Sequence, residues 1–107
     1  MAHCGPAVAQ CARNLGENVN DKKQWDSQPS LAPDGKTLYF ASYRDSVYGT
    51  SDIFVTTKQN GNFSRATPLP LNTNGNEKSP FIHPDSRTLY FSSDSLPGMG
   101  GFDIYMV

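Results

Sequence analysis

The pattern of apolar and polar positions changes character every few residues along this chain. In "KTLYFAS", residues 36–42, Leu38, Tyr39 and Phe40 are consecutive. In an extended backbone they point to alternate faces, so both faces of this segment are apolar. "SDIFVTT", residues 51–57, has the same property through Ile53, Phe54 and Val55. A sheet with one wet face alternates apolar with polar residues, so these two runs predict inner strands covered on both sides. "QPSLAP", residues 28–33, predicts a short extended strand leading into a Pro-Asp-Gly turn. "KQNGNF", residues 58–63, carries Asn-Gly, a strong short-range hairpin signal. "NFSRATPLP", residues 62–70, predicts a more polar outer strand interrupted by proline.

The same pattern then returns. Sliding the chain by 51 residues aligns Pro29–Thr56 with Pro80–Val107 without a gap, and 11 of the 28 positions are identical. Pro33, Asp34, Thr37, Leu38, Tyr39, Phe40 and Ser42 match Pro84, Asp85, Thr88, Leu89, Tyr90, Phe91 and Ser93. Asp52 and Ile53 match Asp103 and Ile104. A fixed period of this length is the signature of a repeat architecture. The expectation is an all-β fold of β-propeller blades, two four-stranded antiparallel repeats of about 51 residues, part of a larger or oligomeric propeller. A β-sandwich is the alternative, but it needs only one apolar face per strand and no exact repeat.

Composition agrees with short strands. Only 36% of the 107 residues are hydrophobic, yet 11% are aromatic, and nine Gly with eight Pro supply frequent turns. A net charge of −1 provides no basic field for nucleic acid or an anionic membrane. No apolar run approaches the roughly 20 residues of a membrane-spanning helix, so membrane insertion is not expected. Cys4 and Cys11 lack a CxxC spacing and any metal-binding partners at a zinc-finger distance, which leaves free thiols or a small local disulfide.

At "SQPSLAPDGKTLYFASYRDSVYGTSDIFV" and "EKSPFIHPDSRTLYFSSDSLPGMGGFDIYMV" the chain resembles the WD40-like, TolB-type propeller repeats of bacterial envelope proteins. "LNTNGNEKSP" and "SSDSLPGMGGFDIY" resemble repeats in large Bacteroidetes proteins that join such a propeller to an OmpA-like peptidoglycan-binding domain. The resemblance spans residues 14–107 and implies a periplasmic or outer-membrane-associated location, with any targeting segment absent from this chain. Ser86 departs from the pattern, which prefers Gly at that turn position. The expected organisation is an N-terminal segment, residues 1–16, supplying an outer blade strand from about residue 8, then a first blade over 17–70. A second blade, over 71–107, lacks its outer strand.

Candidate chemistry is sparse. Asp34 and Asp85 sit in Pro-Asp turns and are expected to bond locally, and Asp52 and Asp103 stand at equivalent places before a strand, where a structural role is expected. His83 is a lone histidine and predicts no ligand, "NTNGNE" lacks calcium-loop spacing, and no nucleophile elbow or zinc-helix motif occurs. No catalytic residue, metal or cofactor is therefore expected. If the first strand runs down, Pro-Asp and Asn-Gly turns lie at the bottom, and longer loops that differ between the units gather at the top. Variable loops on a rigid scaffold are where recognition resides, and Tyr43, Arg44, Asp45, Tyr48, Asp94 and Met99 are the candidate contacts there. The expected function is a non-catalytic scaffold or binding propeller of the cell envelope. Its partners would be a protein or glycan and further blades, from other copies or a parent chain. The alternatives are a propeller attached to a hydrolase, peptidase or glycosidase, and a lectin assembled from two-blade subunits.

Overall fold

The runs with two apolar faces become the central strands of two antiparallel sheets. The computed structural model describes residues 12–22, 24–44, 50–73, 75–96, 98 and 100–107, and among these it contains no helix. The first sheet is built from β1 (Asp26–Leu31), β2 (Thr37–Ser42), β3 (Asp52–Gln59), β4 (Asn62–Phe63) and β5 (Thr67–Pro68). The second holds β6 (Glu77–Ile82), β7 (Leu89–Ser93) and β8 (Asp103–Met106). Spatial order follows chain order, β1-β2-β3-β4 and β6-β7-β8, with β5 also pairing β3. Each sheet is thus a meander of adjacent antiparallel strands, as short turns require.

β4 and β5 are two pieces of one outer strand, because both lie on the same partner: Lys58 faces Phe63, and Val55 faces Thr67. Ser64 N still donates to Thr57 O at 2.8 Å, and the chain then leaves the ladder at Arg65 and Ala66. Thr56 Oγ1 donates to Ser64 O at 2.5 Å, while Ala66 N donates to Asn18 O at 2.8 Å. Asn18 Nδ2 in turn donates to Phe63 O at 3.0 Å, so the N-terminal segment satisfies what the broken strand exposes. Residues 12–16, the described part of the expected outer strand, carry no strand, and residues 8–11 lie outside the described residues, as do Cys4 and Cys11. Instead Asn20 N donates to Gly16 O at 2.8 Å, closing a turn that sets Val19 onto the first sheet.

The repeat is visible in the backbone. Register slips between Ser27 and Ser30 in β1 and between Lys78 and Phe81 in β6, at positions 51 residues apart. At each β-bulge one residue takes a positive φ, Gln28 at 56° and Ser79 at 52°, immediately before a proline. The following turns match too, with Gly35 at 70° and Ser86 at 59°. Ser86 holds the left-handed conformation that Gly adopts without strain in the first unit.

Two apolar clusters lie on opposite faces of the first sheet. One joins Leu38, Phe40 and Phe54 with Val19 and Ala66, flanked by Phe63. The other joins Ala32 with Ile82 and Leu89 of the second sheet, and Tyr39, Leu69 and Leu71 pack against it. Phe40 and Phe91 are buried at 3% exposure each, whereas Tyr39 and Tyr90 are only half-buried. Direct hydrogen bonds tie the sheets together. Ser79 N donates to Gln28 Oε1 at 2.8 Å, Ile82 N to Ser30 Oγ at 3.1 Å, and Glu77 N to Ser51 O at 2.9 Å.

Candidate functional site

Strand direction sorts the loops into two ends. β1 and β6 start, β2 and β7 finish, and β3 and β8 start at one end, so Tyr43, Arg44, Thr50 and Ser51 share it with 69–73, 75–76, 94–96, 98 and 100–102. The opposite end holds the tight turns at 32–36, 60–61 and 83–88.

At that tight end the two Pro-Asp turns are superimposable in their bonding. Asp34 Oδ1 accepts from Lys36 N at 2.7 Å and Thr37 N at 3.0 Å, and Oδ2 accepts from Thr37 Oγ1 at 3.0 Å. Asp85 Oδ1 accepts from Arg87 N at 2.8 Å and Thr88 N at 2.9 Å, and Oδ2 from Thr88 Oγ1 at 3.0 Å. Donors aimed at a carboxylate favour its ionised form. The Lys36 and Thr37 N–H groups hold Asp34 below the usual carboxylate value, and those of Arg87 and Thr88 bring Asp85 down to about 2. Both aspartates serve the turn between the first two strands of their unit.

At the loop end, Asp52 and Asp103 open β3 and β8 opposite Ser42 and Ser93. Asp103 Oδ2 accepts from Gly100 N at 3.2 Å, and a Cβ on Gly98 would collide with the same carboxylate. Asp94 bonds to the segment that joins the two units. Its Oδ1 accepts from Asn76 N at 2.7 Å and its Oδ2 from Asn76 Nδ2 at 3.0 Å. These bonds, the Asn76 side-chain amide foremost, lower the Asp94 pKa. Asn76 Oδ1 then accepts from Ser51 N at 3.0 Å, so Asp94–Asn76–Ser51 stitches one sheet to the other. Gly75 lies so close to Ser95 and Asp94 that a Cβ there would overlap their side chains.

Arg44 points inward rather than to solvent. Its Nη2 lies 2.6 Å from Asp26 Oδ1, and the two side chains are only 11% and 8% exposed. Nη2 also donates to Val19 O, and Nε donates to Ser42 Oγ at 3.0 Å. The guanidinium sits 5.3 Å from the Phe40 ring centre and 5.1 Å from that of Phe54, a cation–π stack over the core. Tyr43, next in the chain, meets Trp25 edge to face with ring centres 4.4 Å apart. Asp45, Tyr48 and Met99 lie outside the described residues. Among the candidates that are described, Tyr43 and Arg44 adjoin β2, while Asp94 belongs to the stitch between sheets.

Two residues at this end escaped sequence reasoning. Trp25 is 47% exposed and forms the outer half of the aromatic pair. Its signal was available, since it is the one tryptophan and directly precedes β1. Glu77 is fully buried, with Oε1 accepting from Thr73 N and Oε2 from Thr73 Oγ1 and Ser93 Oγ, each at 2.7 Å. It lies 51 residues after Asp26, which uses Arg44 where Glu77 uses hydroxyls and an N–H. Acids at both places were visible in the sequence, but their different partners were not. Among the described residues no group of three or more His, Cys, Asp or Glu is placed to hold a metal ion, and no helix is long and apolar enough to cross a membrane. No protein-family model matches the chain, and no curated protein matches it.

Proposed function

We propose that the chain is a non-catalytic scaffold and binding module of the TolB-type β-propeller kind, whose two units are neighbouring blades. The observation that carries this reading is the equivalence of the two sheets. The same bulge, the same Pro-Asp turn and the same inner strands recur at a spacing of 51 residues, and the two sheets pack apolar face to apolar face. Blades of a propeller are buried on both faces for this reason. The loops that differ in sequence between the units, whose described residues gather at one end of the paired sheets, are the natural recognition surface for a protein or glycan partner. Trp25, exposed, and Tyr43, half-buried beneath it, supply an aromatic pair of the type that stacks on sugar rings and anchors protein interfaces. A bacterial envelope setting, periplasmic or at the outer membrane, follows from the resemblance in the repeats. The buried carboxylates favour the non-catalytic reading, because Glu77 and Asp26 are fully occupied in holding loops.

The test is binding. The protein should be profiled on glycan arrays, including peptidoglycan fragments, and by crosslinking to envelope proteins. Trp25→Ala and Tyr43→Ala should each lower the captured signal at least about tenfold, the effect of truncating a hot-spot aromatic. Equal binding by the wild type and both variants would remove this end as the recognition surface.

A further inference from the structure

The crevice between the two sheets is not filled along its whole length. Next to the apolar cluster that joins the sheets there remains a hollow of about 480 Å³. Its walls come from three places. Tyr39 belongs to β2, Ile82 and Leu89 to β6 and β7, and Leu69 and Leu71 to the segment between the units. Ile82 and Leu89 are buried, whereas Tyr39, Leu69 and Leu71 are half-buried, so the hollow has an apolar floor and an accessible rim. Sites for small ligands are of this size, roughly 300–1,000 Å³, and of this kind, mostly apolar with a few placed polar groups.

Two polar groups at the hollow are not used inside the molecule. Arg87 is exposed there, and among the described residues its guanidinium has neither a hydrogen-bond nor an ion-pair partner. The Tyr39 hydroxyl likewise has no hydrogen bond to another described residue. Asp85 is the carboxylate nearest to Arg87 in sequence, yet it serves other groups. It accepts from the N–H groups of its own turn, and His83 Nδ1 lies 3.5 Å from its Oδ1. A guanidinium presents its N–H donors in a planar fork that matches a carboxylate with two parallel bonds. An apolar floor with one such fork at its edge complements a molecule made of a hydrocarbon body and a single carboxylate.

We propose that this crevice binds a small apolar carboxylate of the medium-chain fatty-acid class. The hydrocarbon body lies on Leu69, Leu71, Ile82 and Leu89, Arg87 takes the carboxylate, and the Tyr39 hydroxyl offers a further donor in the same hollow. Burial of the body supplies the affinity, and Arg87 selects an acid over the corresponding alcohol. Neither Trp25 nor Tyr43 lines the hollow, so the site is separate from the recognition surface at the loop end.

Titration of isotope-labelled protein with octanoate, followed by NMR, tests this. Acetate and 1-octanol serve as probes that each keep one half of the chemistry. Octanoate should bind saturably with a Kd of roughly 1 mM or tighter, an ordinary value for a ligand of about ten non-hydrogen atoms. The shifted signals should be those of Leu69, Leu71, Ile82 and Leu89, and both other probes should bind at least about tenfold more weakly. Arg87→Gln, at an exposed position, should weaken octanoate at least about tenfold and leave 1-octanol unchanged. Trp25→Ala should leave octanoate binding as it is. Octanoate that shifts none of these four residues at about 10 mM would overturn the site. Equal affinity for octanoate and 1-octanol, or octanoate binding indifferent to Arg87→Gln, would overturn the carboxylate ligand. Loss of octanoate binding in Trp25→Ala would place the ligand at the loop end and overturn the proposal as well.

Discussion

Arg44 illustrates how a residue type can mislead about its task. A charged side chain in a loop that differs between the units reads as a contact for a partner, yet its guanidinium is committed to Asp26, Ser42 and Val19 O above two phenylalanine rings. Removing one member of a buried ion pair leaves the other charge uncompensated. Arg44→Ala should therefore cost about 3–5 kcal/mol in urea unfolding, the range for such a loss. A change below about 1 kcal/mol would mean that Asp26 is well solvated without it. Asp85 makes a second prediction, in acid. Its folded pKa of about 2 lies below the ordinary aspartate value of 3.8, so the stability it lends is fully present above that higher value. It is lost as pH falls from near 4 towards 2. Asp85→Asn should flatten the dependence of unfolding free energy on pH in that window, measured by denaturant titrations at fixed pH, and a slope identical to wild type would refute the turn's role.

At the scale of elements, the central strands were legible and the edges were not. Leu38-Tyr39-Phe40 and Ile53-Phe54-Val55 foretell strands with two apolar faces, and β2 and β3 are those strands. The Asn-Gly turn likewise appears as the β3–β4 hairpin, but the outer strand is split at Ser64–Ala66 and not at a proline, since Pro68 lies within β5 opposite Phe54. The bulges at Gln28 and Ser79 could not be read, because neither residue type advertises a positive φ; only tertiary packing selects it. Nor was the role of Val19 visible, since a lone valine among polar residues carries no period. Burial at equivalent places gives the sharpest energetic test. Ile53→Ala in β3 should cost about 2–5 kcal/mol, as for other buried isoleucines. Ile104→Ala in β8, at the same place in the repeat but 78% exposed, should change monomer stability by less than about 0.5 kcal/mol. Equal losses in thermal or urea unfolding of dilute protein would show that β8 is covered after all.

For the whole molecule, the loop end was placed by strand direction alone, and the bonds at Asp94, Asn76 and Ser51 show that part of it holds the sheets together. Which loop residues face outward depended on partners distant in sequence, such as Asp26 for Arg44 and Trp25 for Tyr43, so composition could not rank them. The first sheet's Tyr39 face packs on the Ile82 and Leu89 face of the second, so unlike faces meet, and this bears on how such a chain lengthens. Each 51-residue unit brings one face of either kind, so a tandem duplication in the gene inserts a unit whose two sides already match its neighbours. The lengthened product would bury one more such interface. Growth by whole units therefore keeps each strand beside its own kind of partner, whereas a one-residue insertion within a strand would turn the side chains beyond it to the wrong face.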